Sequence, residues 1–242
     1  MISSSGSRIV ALSLVIPCYN EEGNIPNLFA RAKALVSQNP NFEVIFVNNG
    51  SSDSTGRLLE KLIEGHSGIE VVNVEANKGY GYGIKMGLRS SKGAVVGWTH
   101  ADLQTDPMDA LIGLTAAGES LEKTLIKGLR IKRPLMDSFF TLGMSVFESL
   151  LFRIPLRDIN AQPTLFSRPL LDKVLEGPDD FSLDLFALVS AATSDYRQVR
   201  FPVHFGPRFS GKSKWNTSAR ARWNFIKRTV IFSFALADKL RK

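Results

Sequence analysis

Over its first hundred residues the chain alternates short apolar, β-rich runs with stretches of helical periodicity. Residues 9–16 read as a strand and 24–36 as a helix with Asn24 as its cap. Residues 42–47 form a second strand, ended by Asn48-Asn49-Gly50, and 54–64 a helix with Leu58, Leu59 and Leu62 on one face. Residues 69–74 read as a third strand, 83–89 as a short helix, and 94–98 as a fourth strand. This rhythm implies right-handed βαβ units, hence an α/β fold with a mostly parallel central sheet flanked by helices. Ligands of such sheets bind at the carboxyl ends of the strands. The polar clusters stand there: Tyr19-Asn20-Glu21, Asn48-Asn49, Asn77-Lys78 and the stretch from His100 to Gln104.

The second half is less regular. Strands are expected at 125–129 and 196–203, an extended segment at 158–166, and helices at 137–152, 169–175 and 182–193. A Gly/Ser/Lys loop over 206–214 leads to a final basic helix. A hydrophobic share of 44% over 242 residues supports one large domain with an appendage and argues against disorder. The lone Cys18 has no partner for an internal disulfide and follows an apolar run, which predicts a small buried residue and fits a reducing compartment. Residues 1–8 are polar and do not read as a signal peptide. No run reaches the roughly 18 apolar residues of a spanning helix. The segment 134–156 is interrupted by Asp137, Glu148 and Arg153, and 229–237 is too short.

The net charge of +7 is unevenly placed. From Arg208 to Lys242 there are ten Lys/Arg and one acid, Asp238, whereas the remaining 207 residues hold 20 basic and 22 acidic side chains. A basic tail in which Arg220, Arg222, Lys227 and Arg228 interleave with Trp223, Phe225 and Ile226 suits an anionic membrane surface better than nucleic acid. The stripe at 138–152 offers a second apolar face, for core or membrane.

Asp102 and Gln104 pair a carboxylate with an amide oxygen two residues apart, where a strand ends. Hard cations such as Mg²⁺ or Mn²⁺ take oxygen ligands, few of them from protein. The same spacing also suits a polar turn ahead of a helix that starts at Pro107. Gly79, Gly81, Gly83 and Gly87 mimic a dinucleotide fingerprint, but Ile84 and Met86 stand where its last glycine would fall. Close helix–sheet packing is the reading kept for these glycines. Asp184, on an apolar helix, needs a partner if buried, and Asp158 is a further site candidate.

The segments "VIPCYNEEGNI" (15–25), "VNNGSSDSTG" (47–56), "NKGYGYGIKMGL" (77–88) and "HADLQTDP" (100–107) occur in this order, followed by "DINAQPTLFSR" (158–168) and "RFSGKSKW" (208–215). Together they resemble the family 2 glycosyltransferases of the GT-A nucleotide-diphospho-sugar transferase fold. Within these the chain looks most like the dolichol-phosphate mannosyltransferase group and its bacterial polyprenyl-phosphate relatives. The resemblance spans roughly residues 10 to 215. It implies a donor-binding set of Pro17, Tyr19, Glu21, Val47, Asn49, Lys78, His100, Ala101, Asp102 and Gln104, with Asp102 and Gln104 holding Mg²⁺ or Mn²⁺. It implies catalytic roles for Asp102, for Arg130 near the donor sugar and acceptor phosphate, and for the cationic pair Arg208 and Lys214.

Three departures stand out. His100 replaces a usual Asp; it could bind phosphate if protonated, or ligate a softer metal. Asn48-Asn49 replaces a common Asp-Asp, which leaves the nucleotide base open. The long C-terminal membrane region of many relatives has no counterpart in this sequence. The resulting expectation is a GT-A domain over 1–215, with a nucleotide-sugar half (1–107) and an acceptor half (108–215), and a basic amphipathic helix over 216–242. It would be a metal-dependent, inverting transferase acting on a polyprenyl phosphate, cytoplasmic and peripheral on the inner face of the membrane through 138–152 and 216–242. A transferase acting on a saccharide hydroxyl, with Asp158 or Asp184 as base, and a non-catalytic binding module are the alternatives. A nucleotidyltransferase would show a Gly-rich, Arg/Lys-bearing loop after the first strand, where Tyr19-Asn20-Glu21-Glu22 stands instead.

Overall fold

The computed structural model describes residues 12–131, 135–210 and 219–241, less the side chains at 135–140, 219–222, 224 and 225. The first half follows the expected rhythm. It runs β1 (Leu12–Cys18), α1 (Ile25–Gln38), β2 (Phe42–Asn49), α2 (Thr55–Ile63), β3 (Ile69–Val74), α3 (Tyr80–Ser90) and β4 (Val95–Trp98). The second half adds α4 (Asp109–Ala117), β5 (Thr124–Ile131), α5 (Leu135–Phe152), β6 (Thr164–Ser167), α6 (Leu171–Leu175), α7 (Leu183–Ala192), β7 (Arg197–His204) and α8 (Ala219–Arg241).

One seven-stranded sheet has the order β3-β2-β1-β4-β6-β5-β7. Strand β6 is antiparallel to β4 and β5, and all other neighbours are parallel. This topology positions the site. The parallel strands β1 to β4 end at one edge of the sheet. Because β6 runs the other way, its start at Thr164 lies opposite Trp98 at the end of β4. Strands β5 and β7 finish at the same edge, where Arg130 pairs in register with Val203. Segments 19–21, 99–104, 158–163 and 205–210 therefore lie along one edge of the sheet although they are far apart in sequence.

Both faces of the sheet are covered, so its strands are apolar on both sides. In β1, Leu12, Leu14 and Ile16 face the core under α1, α2 and α4, while Val15 faces the core with α3 and α7. Helix α3 lies close on the sheet: a Cβ at Gly87 would stand 2.4 Å from Val15 and 2.8 Å from Val47. Only glycine permits that approach, which is the packing role read from the sequence.

Some local expectations shift. Helix α3 starts three residues earlier than expected, at Tyr80, directly after Gly79, whose φ of +126° few other residues adopt. Asn24 stands at the cap position of α1 but makes no capping bond; its amide instead donates to Glu21 at 2.5 Å. Regular α-helical bonding in α4 begins at Asp109, and the turn through Pro107 that leads into it is closed from both sides. Met108 N donates to the Asp106 carboxylate at 2.9 Å and Asp106 N to that of Asp109 at 3.1 Å, the reciprocity of a capping box. The extended segment at 158–166 pairs as a strand only from Thr164.

Candidate active site

Asp102 and Gln104 lie just past β4, and a strap from β7 closes over them. The Asp102 side chain is buried; its Oδ1 accepts from Gln104 N at 3.1 Å, and its Oδ2 lies 3.0 Å from the Arg208 guanidinium. The strap is held at several points. Gly206 N donates to Gln104 O at 2.9 Å, Gln104 Nε2 donates to Gly206 O at 3.1 Å, and Phe209 N donates to Asp102 O at 3.4 Å. Asn24 Nδ2 reaches Ser210 O at 3.5 Å. The strap thus ties the first loop to the Asp102 turn, while Phe205 lies 5.1 Å beneath the Arg130 guanidinium.

The residues present fit a hard divalent cation. Asp102 and Gln104 supply a carboxylate and an amide oxygen, and Asp102 already faces a positive charge from Arg208. Among the described residues no three His, Cys, Asp or Glu side chains converge. A cation here would draw its remaining ligands from phosphate and water.

His100 is held by a neighbour on one side of its ring. Its Nε2 lies 2.9 Å from the Tyr80 hydroxyl, which leaves Nδ1 alone for any ligand. Burial lowers its pKa, with Asp102 and Asp184 opposing only in part. A protonated imidazole gripping phosphate is therefore disfavoured. Tyr80 stacks on Phe181 at 4.4 Å and also accepts from Gln162 Nε2 at 3.3 Å. Gln162 Nε2 in turn donates to Asp184 Oδ1 at 2.9 Å. Asp184 takes a second partner, Lys127, at 2.9 Å. Both members of this ion pair are essentially inaccessible, and burial pushes the Lys127 ammonium down to about 8 despite Asp184.

On the opposite flank Arg130 and Asp158 form a second pair. Arg130 N donates to Asp158 Oδ2 at 2.8 Å, Arg130 Nε donates to Oδ1 at 2.9 Å, and Nη2 reaches the same oxygen. Next to it lies a small cavity of about 60 Å³, lined by Arg130, Ser145, Asn160, Phe181 and Glu148 among others. Glu148, on α5, is fully buried. It accepts from Ser233 on α8 at 2.7 Å, and its Oε2 has no partner among the described residues. Burial raises its carboxyl to about 7.

The remaining donor candidates divide. Pro17, Tyr19 and Glu21 sit at the end of β1 and are partly accessible, and Ala101 is buried beside Asp102. The Val47 side chain is wholly buried under α3, so only its backbone can meet a ligand. Asn49 is 3% exposed, and its Nδ2 donates to Gly79 O at 3.0 Å, which ties β2 to the start of α3. Lys78 is exposed and lies 5.2 Å over the Tyr82 ring. Lys214 lies outside the described residues. The sequence singled out neither Tyr80 nor Gln162, and it gave Glu148 no part in the site. The run of glycines around Tyr80, which admits close approach to the 178–180 backbone, was the available signal for the first. Cys18 is buried as expected, and burial raises its thiol pKa.

Comparison with known proteins agrees with this geometry. A family model described as Glycosyl transferase family 2 matches residues 13–171. An uncharacterized glycosyltransferase of Synechocystis sp. is 30% identical over 94% of this chain and 70% of its own length. The undecaprenyl-phosphate 4-deoxy-4-formamido-L-arabinose transferase of Salmonella paratyphi A is 26% identical over 86% of this chain, which spans 63% of that protein. Among solved structures, glucosyl-3-phosphoglycerate synthase from Mycobacterium tuberculosis in complex with Mn²⁺, UDP and glucosyl-3-phosphoglycerate superposes with a TM-score of 0.70 at 17% identity, covering 94% of this chain and 79% of that one. The mannosyltransferase PcManGT from Pyrobaculum calidifontis, in complex with GDP-Man and Mn²⁺, gives 0.66 at 19% identity, covering 97% and 65%. The expected fold is thus the observed one, and the chain belongs to the family 2 glycosyltransferases, enzymes that transfer a sugar from a nucleotide-sugar donor.

Proposed function

We propose that the enzyme moves a sugar, with inversion, from a nucleoside diphospho-sugar to the phosphate of a polyprenyl phosphate at a membrane surface, and that it needs a divalent cation. The observation that carries this reading is the meeting of Asp102, Gln104 and Arg208 at the sheet edge, flanked by Arg130. Two findings support it: a relative named for undecaprenyl phosphate, and structural neighbours crystallised with Mn²⁺ and nucleotide ligands.

Pro17, Tyr19 and Glu21 would bind the nucleoside, with Asn49 and Val47 shaping the floor. Lys78 would lie at the rim, and Ala101 would line the diphosphate segment. Asp102 and Gln104 would hold the Mg²⁺ or Mn²⁺, which when bound stabilises charge on the diphosphate. In the transfer an acceptor phosphate oxygen forms a bond to the anomeric carbon while that carbon's bond to the diphosphate oxygen breaks from the other face. The electron pair leaves with the diphosphate. Arg208, and Lys214 beyond it, would receive that charge. Arg130 would orient the acceptor phosphate. A phosphate oxygen is already anionic at pH 7, so the enzyme needs positioning rather than a general base. This suits Asp158, whose carboxylate is bonded to Arg130 at several points and is poorly placed to abstract a proton from a saccharide hydroxyl.

Membrane contact would come from α5 and α8. They pack through Phe147 and Phe234, with ring centroids 5.9 Å apart, and expose Leu142, Val146, Leu150, Trp223 and Ile231. Among the described residues no helix is long and apolar enough to cross a membrane. The enzymatic reading is tested by Asp102→Ala: transfer should fall roughly a hundred- to a thousandfold. Full activity of the unaltered enzyme in excess chelator would remove the metal from the account.

A further inference from the structure

A second cationic cleft lies away from the donor edge. It has a volume of about 480 Å³, within the usual range of ligand sites. Arg153, Arg157 and Arg200 line it together with Tyr196 and Gln198. No described lining residue is acidic, and three arginines line the one concavity. Arg200 is the informative member. Its Nη1 donates to Gly128 O at 3.4 Å, while its Nη2 is buried with no hydrogen-bond partner among the described residues. The carboxylate whose charge it senses, Asp158, is already bonded to Arg130. Burial lowers the Arg200 pKa to about 10, the mark of a cation that has lost water without full compensation. The Nη2 nitrogen is out of reach from the cleft's surface, so Arg200 adds a fixed positive charge behind Arg153 and Arg157, which are exposed.

The surroundings indicate where that anion comes from. Leu142, Val146 and Leu150 are four residues apart on α5 and exposed, so they form one apolar stripe. Arg153 follows three residues past Leu150, where the helix ends. Its φ of +57° is the left-handed turn with which many helices end. An apolar stripe that runs into an arginine cluster matches a lipid interface, with acyl chains beside the leucines and a phosphate at the guanidiniums.

We infer that the cleft of Arg153, Arg157 and Arg200 binds the phosphate headgroup of an anionic phospholipid and so fixes how the enzyme sits on the membrane. This rests on the surface-docking part of the proposed function and is independent of the donor site. Co-sedimentation would compare vesicles of phosphatidylcholine alone with vesicles containing phosphatidylglycerol. The unaltered chain should bind the second kind only, and Arg153→Gln with Arg157→Gln should weaken binding roughly fivefold per arginine. Replacing the same two by lysine keeps the charge but loses the forked donor geometry, and should restore little. Full restoration by lysine would mean diffuse attraction and overturn the site. Unchanged binding of the glutamine variant, with loss instead in Lys227→Gln with Lys239→Gln on α8, would overturn the site but leave surface docking standing. No vesicle binding by the unaltered chain would sink both. If inorganic phosphate raised the melting temperature of the unaltered chain, and not of the glutamine variant, while vesicles failed to bind, the anion would be a soluble phosphate and the lipid assignment would be wrong.

Discussion

The proposed donor edge and the proposed acceptor side use charge in opposite ways. At that edge Asp102 and Arg208 are held together by the strap, and the Arg208 side chain is 27% exposed. Such a pair can exchange partners. On the acceptor side Lys127 and Asp184 are sealed under the sheet, and Arg130 and Asp158 are locked by several bonds. Such pairs hold a shape. The first arrangement suits a site where a leaving diphosphate and a cation must come and go, the second a site that must present one fixed geometry to its acceptor.

The sharpest way to break this contrast is Asp184→Ala. It strands the buried Lys127 ammonium and removes a partner of Gln162 and Thr164. A loss of about 3–5 kcal/mol of stability is expected. Chemical denaturation measures it, and a loss below about 1 kcal/mol would show that the pair is not sealed. Lys127→Met combined with Asp184→Leu should recover much of that loss.

A smaller effect belongs to Glu148. Its folded pKa of about 7 lies above the ordinary 4.5, so the folded state holds a proton that the unfolded chain has released. The contribution is complete below about pH 4.5 and is lost as pH rises through about 7. It should amount to a few kcal/mol. Stability measured from pH 5 to 8 should therefore decline, and Glu148→Gln should flatten that decline. The same profile in the variant would assign it to other groups.

The smallest effect tests the exchangeable pair. Arg208→Gln frees the Asp102 carboxylate, so Mn²⁺ binding measured without nucleotide should tighten about fivefold, the worth of a partly exposed ion pair. Transfer should nevertheless slow, because the leaving diphosphate loses a cation. Weaker Mn²⁺ binding in the variant would show that Arg208 supports the metal site instead of competing for it.

The contrast also explains what the sequence revealed. The donor edge consists of loops after consecutive strands, so Tyr19, Asn49 and Asp102 announce themselves in local motifs. The alternation of strand and helix was legible for the same reason, since each βαβ unit is local. The acceptor side is assembled by the reversal of β6 and by β7 at the edge. Lys127 meets Asp184 across 57 residues and Glu148 meets Ser233 across 85, and no short pattern records such pairs. A carboxylate on an apolar helix points to a partner for Asp184, but nothing local in the sequence identifies Lys127 as that partner. His100 drew notice as a substitution, yet its behaviour depends on Tyr80, twenty residues earlier. Val47 and Asn49 illustrate the converse. The resemblance gives them to the donor, but in the structure their side chains are turned into packing with α3.

The central claim is that Asp102 anchors a cation-dependent nucleoside diphosphate site. Calorimetric titration with UDP, GDP and CDP, with and without Mn²⁺, tests it most directly, in the unaltered chain and in Asp102→Asn. The account predicts that at least one nucleotide binds, that Mn²⁺ strengthens it tenfold or more (about 1.4 kcal/mol), and that Asp102→Asn abolishes the Mn²⁺ effect while the melting temperature stays close to that of the unaltered chain. Equal binding with and without Mn²⁺, or a Mn²⁺ effect that survives Asp102→Asn, would contradict it.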